Sequence, residues 1–348
     1  MEIVKLTSEN YPLWNEYVTA SPNGLPQHLA EWREIIAETY GCQTCYLMAM
    51  EGKRPFGIIP LFFIRSRLLG NRAVTMPGGL CADDGQTAAA LIQEAMAMAD
   101  QAGMKQLTLQ DGRLPYATIA QTSDQHVHWI IELTDGVDAA WSSLGRETRR
   151  QVRLASKNGL TVKIDTHPDR LNDFYDVFSR FTRQVGTPVF GRDFLQRITA
   201  VFPHNYTIAV VYKEEQPIGG YFQLLHGNTV YGTWGATLQP YLAERAVYLA
   251  YWEILNRAVA DGYQYWDMGR SPKGSGASTF KAKWRGISHP VYQQIVAANG
   301  RLQNGNVAAT SNIHSDAKLQ QFSRIWRKLP LSLTRKMGPV LRKHIPFG

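Results

Sequence analysis

Ala258-Val259-Ala260-Asp261-Gly262-Tyr263-Gln264-Tyr265-Trp266-Asp267-Met268-Gly269-Arg270 carries three signals in one short run. An alanine-rich segment reads as the end of a helix, and Gly262 stands where a left-handed cap would stop it. Tyr263–Trp266 reads as a short strand that ends in an aspartate and an arginine. The same order occurs upstream. Ala97-Met98-Ala99-Asp100-Gln101-Ala102-Gly103 is followed by a strand over Met104–Gln110 and then by Asp111-Gly112-Arg113.

What precedes each helix matches too. Thr44–Met50 and Pro55–Ile64 are apolar runs separated by Glu51-Gly52-Lys53-Arg54, the pattern of a hairpin. Tyr206–Lys213 and Pro217–His226, separated by Glu214-Glu215-Gln216, repeat it. Each hairpin leads through extended chain to a long helix, roughly Asp84–Ala102 in one half and Tyr241–Asp261 in the other. Shared element order together with the matched helix exit points to a duplicated α/β unit.

Between the halves the periodicity predicts one helix from about Val137 to Asn158. At about 100° per residue, Trp141, Leu144, Val152 and Ala155 share a face. Arg146, Arg149, Arg150, Arg153 and Lys157 form a basic stripe opposite, with Glu147 its one acid. Gly159 ends this helix and Leu160–Ile164 begins the next strand.

The chain has 348 residues, 44% of them hydrophobic and 19% charged, which supports a sizeable core and excludes global disorder. No signal-peptide pattern opens the sequence, and the longest apolar run, Phe56–Ile64, is too short to span a bilayer. The expectation is a soluble, cytoplasmic body. Three cysteines (Cys42, Cys45 and Cys81) fit a reducing compartment. Cys42 and Cys45 have metal or redox spacing, but no second pair follows, so no metal site is expected and a helix-to-strand junction is the simpler reading.

The net charge is +8. Residues 301–348 hold nine basic residues (Arg301, Lys318, Arg324, Arg327, Lys328, Arg335, Lys336, Arg342 and Lys343) against Asp316 alone, so the whole excess lies in the tail. Leu319, Phe322, Ile325, Trp326 and Leu329 recur there at helical spacing until Pro330. Such a basic amphipathic segment can anchor on a membrane surface, contact RNA phosphates, or pack on the body with its charges in water.

The densest candidate site runs from Asp267 to Lys281. An aspartate at a strand end can act as a base or orient a polar group. The loop after it contains Gly269, Gly274 and Gly276 with Ser271, Ser275, Arg270 and Lys273, and can turn backbone N–H groups toward an anion. Lys281 can stabilise negative charge that develops on an oxygen. A solvated glycine-rich turn is the plainer alternative. Tyr231, Trp234 and the pair Tyr251-Trp252 form a second, aromatic candidate. Core packing is the usual role of such residues, although Gly232 and Gly235 flanking Trp234 would permit a bulge or a close approach.

Asp267-Met268-Gly269-Arg270-Ser271, followed by Phe280-Lys281, Trp284 and Gly286, resembles the C-terminal signature of the FemAB/FemX superfamily of GNAT-like proteins, the peptidoglycan bridge-forming aminoacyltransferases and their relatives. Arg149-Arg150, Val152-Arg153, Ala155 and Asn158-Gly159-Leu160 resemble that family's basic helix. Phe174-Tyr175, Gly186-Thr187-Pro188-Val189-Phe190, Trp326-Arg327-Lys328-Leu329-Pro330-Leu331 and Gly338-Pro339 are similar to the subgroup found with PEP-CTERM/exosortase exopolysaccharide clusters.

The resemblance implies an α/β fold of two tandem GNAT-like domains with mixed, largely antiparallel sheets flanked by helices. Domain limits would be 1–157, 158–299 and a basic tail over 300–348. It implies transfer of an acyl or aminoacyl group to an amine of a cell-envelope or exopolysaccharide precursor. Lys281 and Asp267 would be catalytic; Arg270, Ser271, Tyr231, Trp234, Trp252, Arg150 and Arg153 would bind substrates.

The donor would be aminoacyl-tRNA or acyl-CoA. Residues 316–345 would allow peripheral contact with the inner face of the membrane. After Gly235, Ala236-Thr237-Leu238-Gln239-Pro240-Tyr241 stands where a glycine-rich pyrophosphate loop is expected of a simple GNAT enzyme. Two further readings stay open: a CoA-dependent N-acetyltransferase of a sugar or small amine, and a non-catalytic scaffold in polysaccharide assembly.

Overall fold

The two predicted hairpins form almost where the sequence places them. β2 (Gln43–Glu51) pairs antiparallel with β3 (Arg54–Ile64), and β9 (Tyr206–Lys213) with β10 (Gln216–His226). The computed structural model describes residues 1–66, 70–116, 121–297 and 317–344. They divide into two compact units: Met1–Gln125 with Val291–Phe322 and Pro339–Gly348, and His126–Pro290 with Ser323–Gly338. The first division falls between Gln125 and His126. The predicted 299/300 boundary, Arg301 and Asp316 lie outside the described residues, as do the side chains of Lys318 and Leu319.

In the first unit β1 (Glu2–Lys5), β2, β3, β4 (Arg72–Thr75), β6 (Gln106–Gly112) and β13 (Ile287–Ala297) lie side by side, with β5 (Cys81–Ala82) on β3. All of these pairs are antiparallel except β4 with β6, which are parallel and joined through helix α3 (Gly85–Gln101). Helix α1 (Tyr11–Ala20) packs Trp14, Tyr17 and Val18 against Tyr46, Met48 and Ile58 on one face. On the other, α3 packs Leu91, Ile92 and Ala95 against Leu47, Ile59 and Leu61. Strand side chains alternate between faces, so each strand feeds both cores.

The second unit repeats the plan. β8 (Leu160–Asp165), β9, β10, β11 (Thr229–Thr237), β12 (Tyr265–Pro272) and β7 (Gln121–Glu132) follow in that order. Again one pair, β11 with β12, is parallel and joined through a helix, α8 (Ala246–Ala260). Helices α4 (Gly136–Ser143), α5 (Arg146–Lys157), α8 and α9 (Gly276–Ala282) cover one face around Val152, Leu249, Tyr251, Trp266 and Trp284. On the opposite face lie Phe174 and Phe178 of α6 (Pro168–Val185), Phe194 of α7 (Arg192–Val201), and Phe190 between them. They meet Phe222 and Trp234 there. β13, from the second half of the sequence, thus pairs with β6 of the first, and β7, from the first half, pairs with β12 of the second.

Local chemistry explains the departures from the predicted helices. The span expected over Val137–Asn158 is two helices, because Leu144 and Gly145 are extended and Gly145 caps α5. The span expected over Tyr241–Asp261 opens with a 3₁₀ turn, Gln239–Glu244, and begins as α8 only after Arg245, whose φ is +66°. Both predicted glycine stops are left-handed, Gly103 at φ +72° and Gly262 at +82°.

The tail forms α10 (Ala317–Lys328) and α11 (Leu331–Arg342), parted at the predicted Pro330. Trp326 is buried at 2% exposure, and Ser323 donates to the Gly186 carbonyl at 2.9 Å. Arg335 meets Asp176 at 2.5 Å and Ser179 at 2.9 Å. The packed reading of the tail accounts for this side of both helices.

Candidate active site

β11 and β12 pair at only three positions: Thr229 with Tyr265, Val230 with Trp266, and Tyr231 with Asp267. Beyond them β11 continues along β10 and β12 along β7, so the two parallel strands part at Asp267. On the β7 side, Asp267 opposes Ile130 and Arg270 opposes His128, which leaves Met268 and Gly269 facing the single residue Trp129 as a bulge. Gly269 has φ +79°, and its backbone lies hard against that of Gly232 on β11. Only glycine suits both demands.

The bulge gathers the polar groups. Asp267, 3% exposed, accepts the Gly269 N–H on Oδ1 at 2.9 Å. Its Oδ2 lies 3.1 Å from Nδ1 of His128, itself 8% exposed. Lys281 donates to the carbonyls of Gly269 at 2.8 Å and Arg270 at 3.2 Å. Burial pushes the Lys281 ammonium down to about 8, the Asp267 carboxylate pulling it up and the Arg270 guanidinium pushing it further down. Two of its three N–H donors are held by the bulge and the third can serve another oxygen.

The sequence around Lys281 explains how it reaches the bulge. Ser275 caps α9 by accepting the Ser278 N–H at 3.2 Å. Phe280 and Trp284, one turn apart, both pack on Tyr251, with ring centroids 5.1 and 5.5 Å away. Lys281 is rotated about 100° from Phe280, off the aromatic face and onto β12.

The remaining predicted site residues separate into three places. Tyr231 is the register partner of Asp267, and Arg270 and Ser271 continue β12 past the bulge. Trp234 lies on the α6–α7 face, 5.1 Å from Phe190 and 5.4 Å from Phe222. Trp252 lies on the other face against Trp141 at 4.6 Å, so the sheet keeps the two tryptophans apart. Arg153 sits over the Trp141 ring at 5.3 Å, while Arg150 is exposed and paired with Glu147. The bulge thus brings together Asp267, Arg270 and Lys281, and adds His128, which sequence reasoning missed. Its signal was weak: one histidine in the alternating run Val127-His128-Trp129-Ile130.

Cys42 lies between α2 (Trp32–Tyr40) and β2, and Cys45 within β2. Burial pushes both thiols up, which makes them poor nucleophiles. Among the described residues no group of three or more His, Cys, Asp or Glu side chains could hold a metal, and no helix is long and apolar enough to cross a membrane.

Comparison with known proteins bears on this unit directly. Residues 142–282 match the family model of an acetyltransferase (GNAT) domain. Among solved structures, FemX superposes with a TM-score of 0.65 at 14% identity, over 84% of this chain and 97% of that one. The C-terminal domain (DUF2156) of an Agrobacterium fabrum protein assigned as a lysylphosphatidylglycerol synthetase gives 0.56 at 12% identity, over 83% and 91%. A tandem GNAT protein of the clavulanic acid biosynthesis pathway gives 0.53 at 12% identity, over 85% and 98%. No curated protein matches the sequence. These likenesses establish a GNAT-like fold in two tandem units.

Proposed function

We propose that the protein transfers an acyl or aminoacyl group to an amine of a cell-envelope or exopolysaccharide precursor, as a FemAB-type member of the GNAT fold. The observation that carries this reading is Lys281: a buried ammonium, anchored by two backbone carbonyls, beside a buried aspartate where two parallel strands part. A buried charge is costly to retain without a task. Here it can stabilise the oxyanion of a tetrahedral intermediate or the departing oxygen. Arg270 and the loop after it would hold a phosphate of donor or acceptor, with Ser271 and Tyr231 on either side of the strand parting.

Likeness to FemX and to a lysylphosphatidylglycerol synthetase domain supports an envelope acceptor, and the resemblance of the Asp267–Gly286 motif to the FemAB/FemX superfamily favours an aminoacyl-tRNA donor. The run Ala236–Tyr241, which enters a 3₁₀ turn at Gln239, supports the same choice, since it offers no glycine-rich loop to a pyrophosphate. The acetyltransferase family match favours a second reading, acyl-CoA as donor to a sugar or small amine. The PEP-CTERM-type motifs favour an exopolysaccharide acceptor, and the exposed side of the tail favours work at the inner membrane surface.

A donor panel decides. Acetyl-CoA and mixed aminoacyl-tRNA are offered with a nucleotide-linked muropeptide and with amino-sugar oligosaccharides, and acceptor mass is read. RNase-sensitive mass gain identifies tRNA, and release of free thiol identifies CoA. A protein that modifies no acceptor with either donor is not this transferase.

A further inference from the structure

Two buried polar atoms at the bulge have no hydrogen-bond partner among the described residues, His128 Nε2 and Ser271 Oγ. Leaving such an atom unpaired forfeits its hydration with nothing in return, so each calls for a reason. For His128 the surroundings supply one. Its Nδ1 faces an aspartate that the fold holds from the other side, since Gly269 N–H occupies Oδ1 and leaves Oδ2 for the ring. A carboxylate at Nδ1 stabilises the tautomer that carries its proton there. Nε2 then keeps its lone pair.

We propose that His128 Nε2 takes the proton from the acceptor amine, with Asp267 as the residue that positions the ring. This rests on the transferase reading. Asp267 is poorly placed to take the proton itself, because both its oxygens are engaged. Lys281 cannot take it while it is an ammonium donating to two carbonyls. In the step, the amine nitrogen bonds to the carbonyl carbon of the donor, and its proton moves to Nε2. The bond from that carbon to the donor's oxygen or sulfur then breaks, and the leaving atom takes the proton from the imidazolium. The products are an amide and a free hydroxyl or thiol, and Asp267 stays ionised throughout.

The test separates proton transfer from mere support of the bulge. His128→Asn keeps a donor in the place of Nδ1 and removes Nε2; His128→Gln serves if the smaller side chain loosens the fold, which thermal melting reports. Donors are acetyl-CoA and mixed aminoacyl-tRNA. Acceptor probes are glucosamine and hydroxylamine, whose less basic nitrogen, once bonded to the carbonyl carbon, gives up its proton to water more readily.

General-base assistance is worth about 10²–10⁴-fold. Transfer to glucosamine should therefore fall at least 100-fold in the variant, while transfer to hydroxylamine changes by less than about threefold. Equal losses with both acceptors would make His128 a structural residue, and wild-type rates with both would overturn its role altogether; either leaves the transferase reading standing. Failure of the unmodified protein to transfer to any acceptor would remove that reading and this step with it.

Discussion

Gly269 and Gly232 meet backbone to backbone across the parting of β12 and β11: a Cβ on Gly269 would land on the Gly232 carbonyl oxygen, and one on Gly232 would sit 3.2 Å from the Asp267 carbonyl oxygen. The bulge that presents Asp267, and whose carbonyls anchor Lys281, exists because neither residue has a side chain. Gly269→Ala adds a left-handed strain of about 1–2 kcal/mol to that collision. It should destabilise the protein by about 2–4 kcal/mol in urea unfolding and reduce transfer more than any loss of folded protein explains. Gly232→Ala, with milder contacts and no positive φ, should cost about 1 kcal/mol. The reverse ranking would mean that the bulge is not held by this approach.

Lys281 gives a signed pH dependence. Its ammonium titrates near 8 in the folded protein and at 10.5 when unfolded. Below pH 8 both states hold the proton. Between about 8 and 10.5 the unfolded chain holds one more, so stability rises with pH across that window, by about 1.4 kcal/mol per unit at most. Urea unfolding of the natural protein against Lys281→Met isolates this slope, and parallel lines would place the lysine in water. Activity moves the other way. If the charged form stabilises the oxyanion, turnover declines as pH rises through about 8, and Lys281→Ala loses about 100-fold or more while folding normally.

The two helix exits and both hairpins were legible because each rests on local chemistry: a glycine stop, or a turn between apolar runs. The pairing of β13 with β6 and of β7 with β12 was not, because strand pairing depends on partners far along the chain. His128 was hidden for the same reason. In the run His126-Val127-His128-Trp129-Ile130 nothing local singles out one of two histidines, and the aspartate that gives His128 a role arrives only when β12 pairs beside β7. The break at Arg245 escaped because a left-handed arginine carries no sequence mark.

Gly338 seats α11. Its Cα lies against Val189, and a Cβ there would meet the Val189 carbonyl oxygen at 2.6 Å and its nitrogen at 3.0 Å. Gly338→Val should lift this helix and weaken the Arg335–Asp176 ion pair beside it. The expected results are a loss of about 1–3 kcal/mol and new proteolytic cleavage after Lys328 or Lys336. Unchanged melting with no new cleavage would show that the tail is not fastened through this contact.

The membrane reading of the tail rests on its other side. Ile325 is 55% exposed, Leu333 39% and Met337 40%, with Arg324, Lys328 and Lys336 exposed among them. Three basic residues near an anionic surface contribute about 3 kcal/mol at low salt, and shallow insertion of the apolar side chains adds to it. The protein should float with phosphatidylglycerol vesicles and not with phosphatidylcholine vesicles. Changing Ile325, Leu333 and Met337 together to glutamate should abolish flotation without lowering thermal stability, since none of the three is buried. High salt should weaken binding by screening the basic residues. RNase treatment should leave flotation unchanged; its loss on that treatment would assign these charges to RNA phosphates. A natural protein that stays at the bottom of the gradient with both lipids would leave the tail as a packed strap alone.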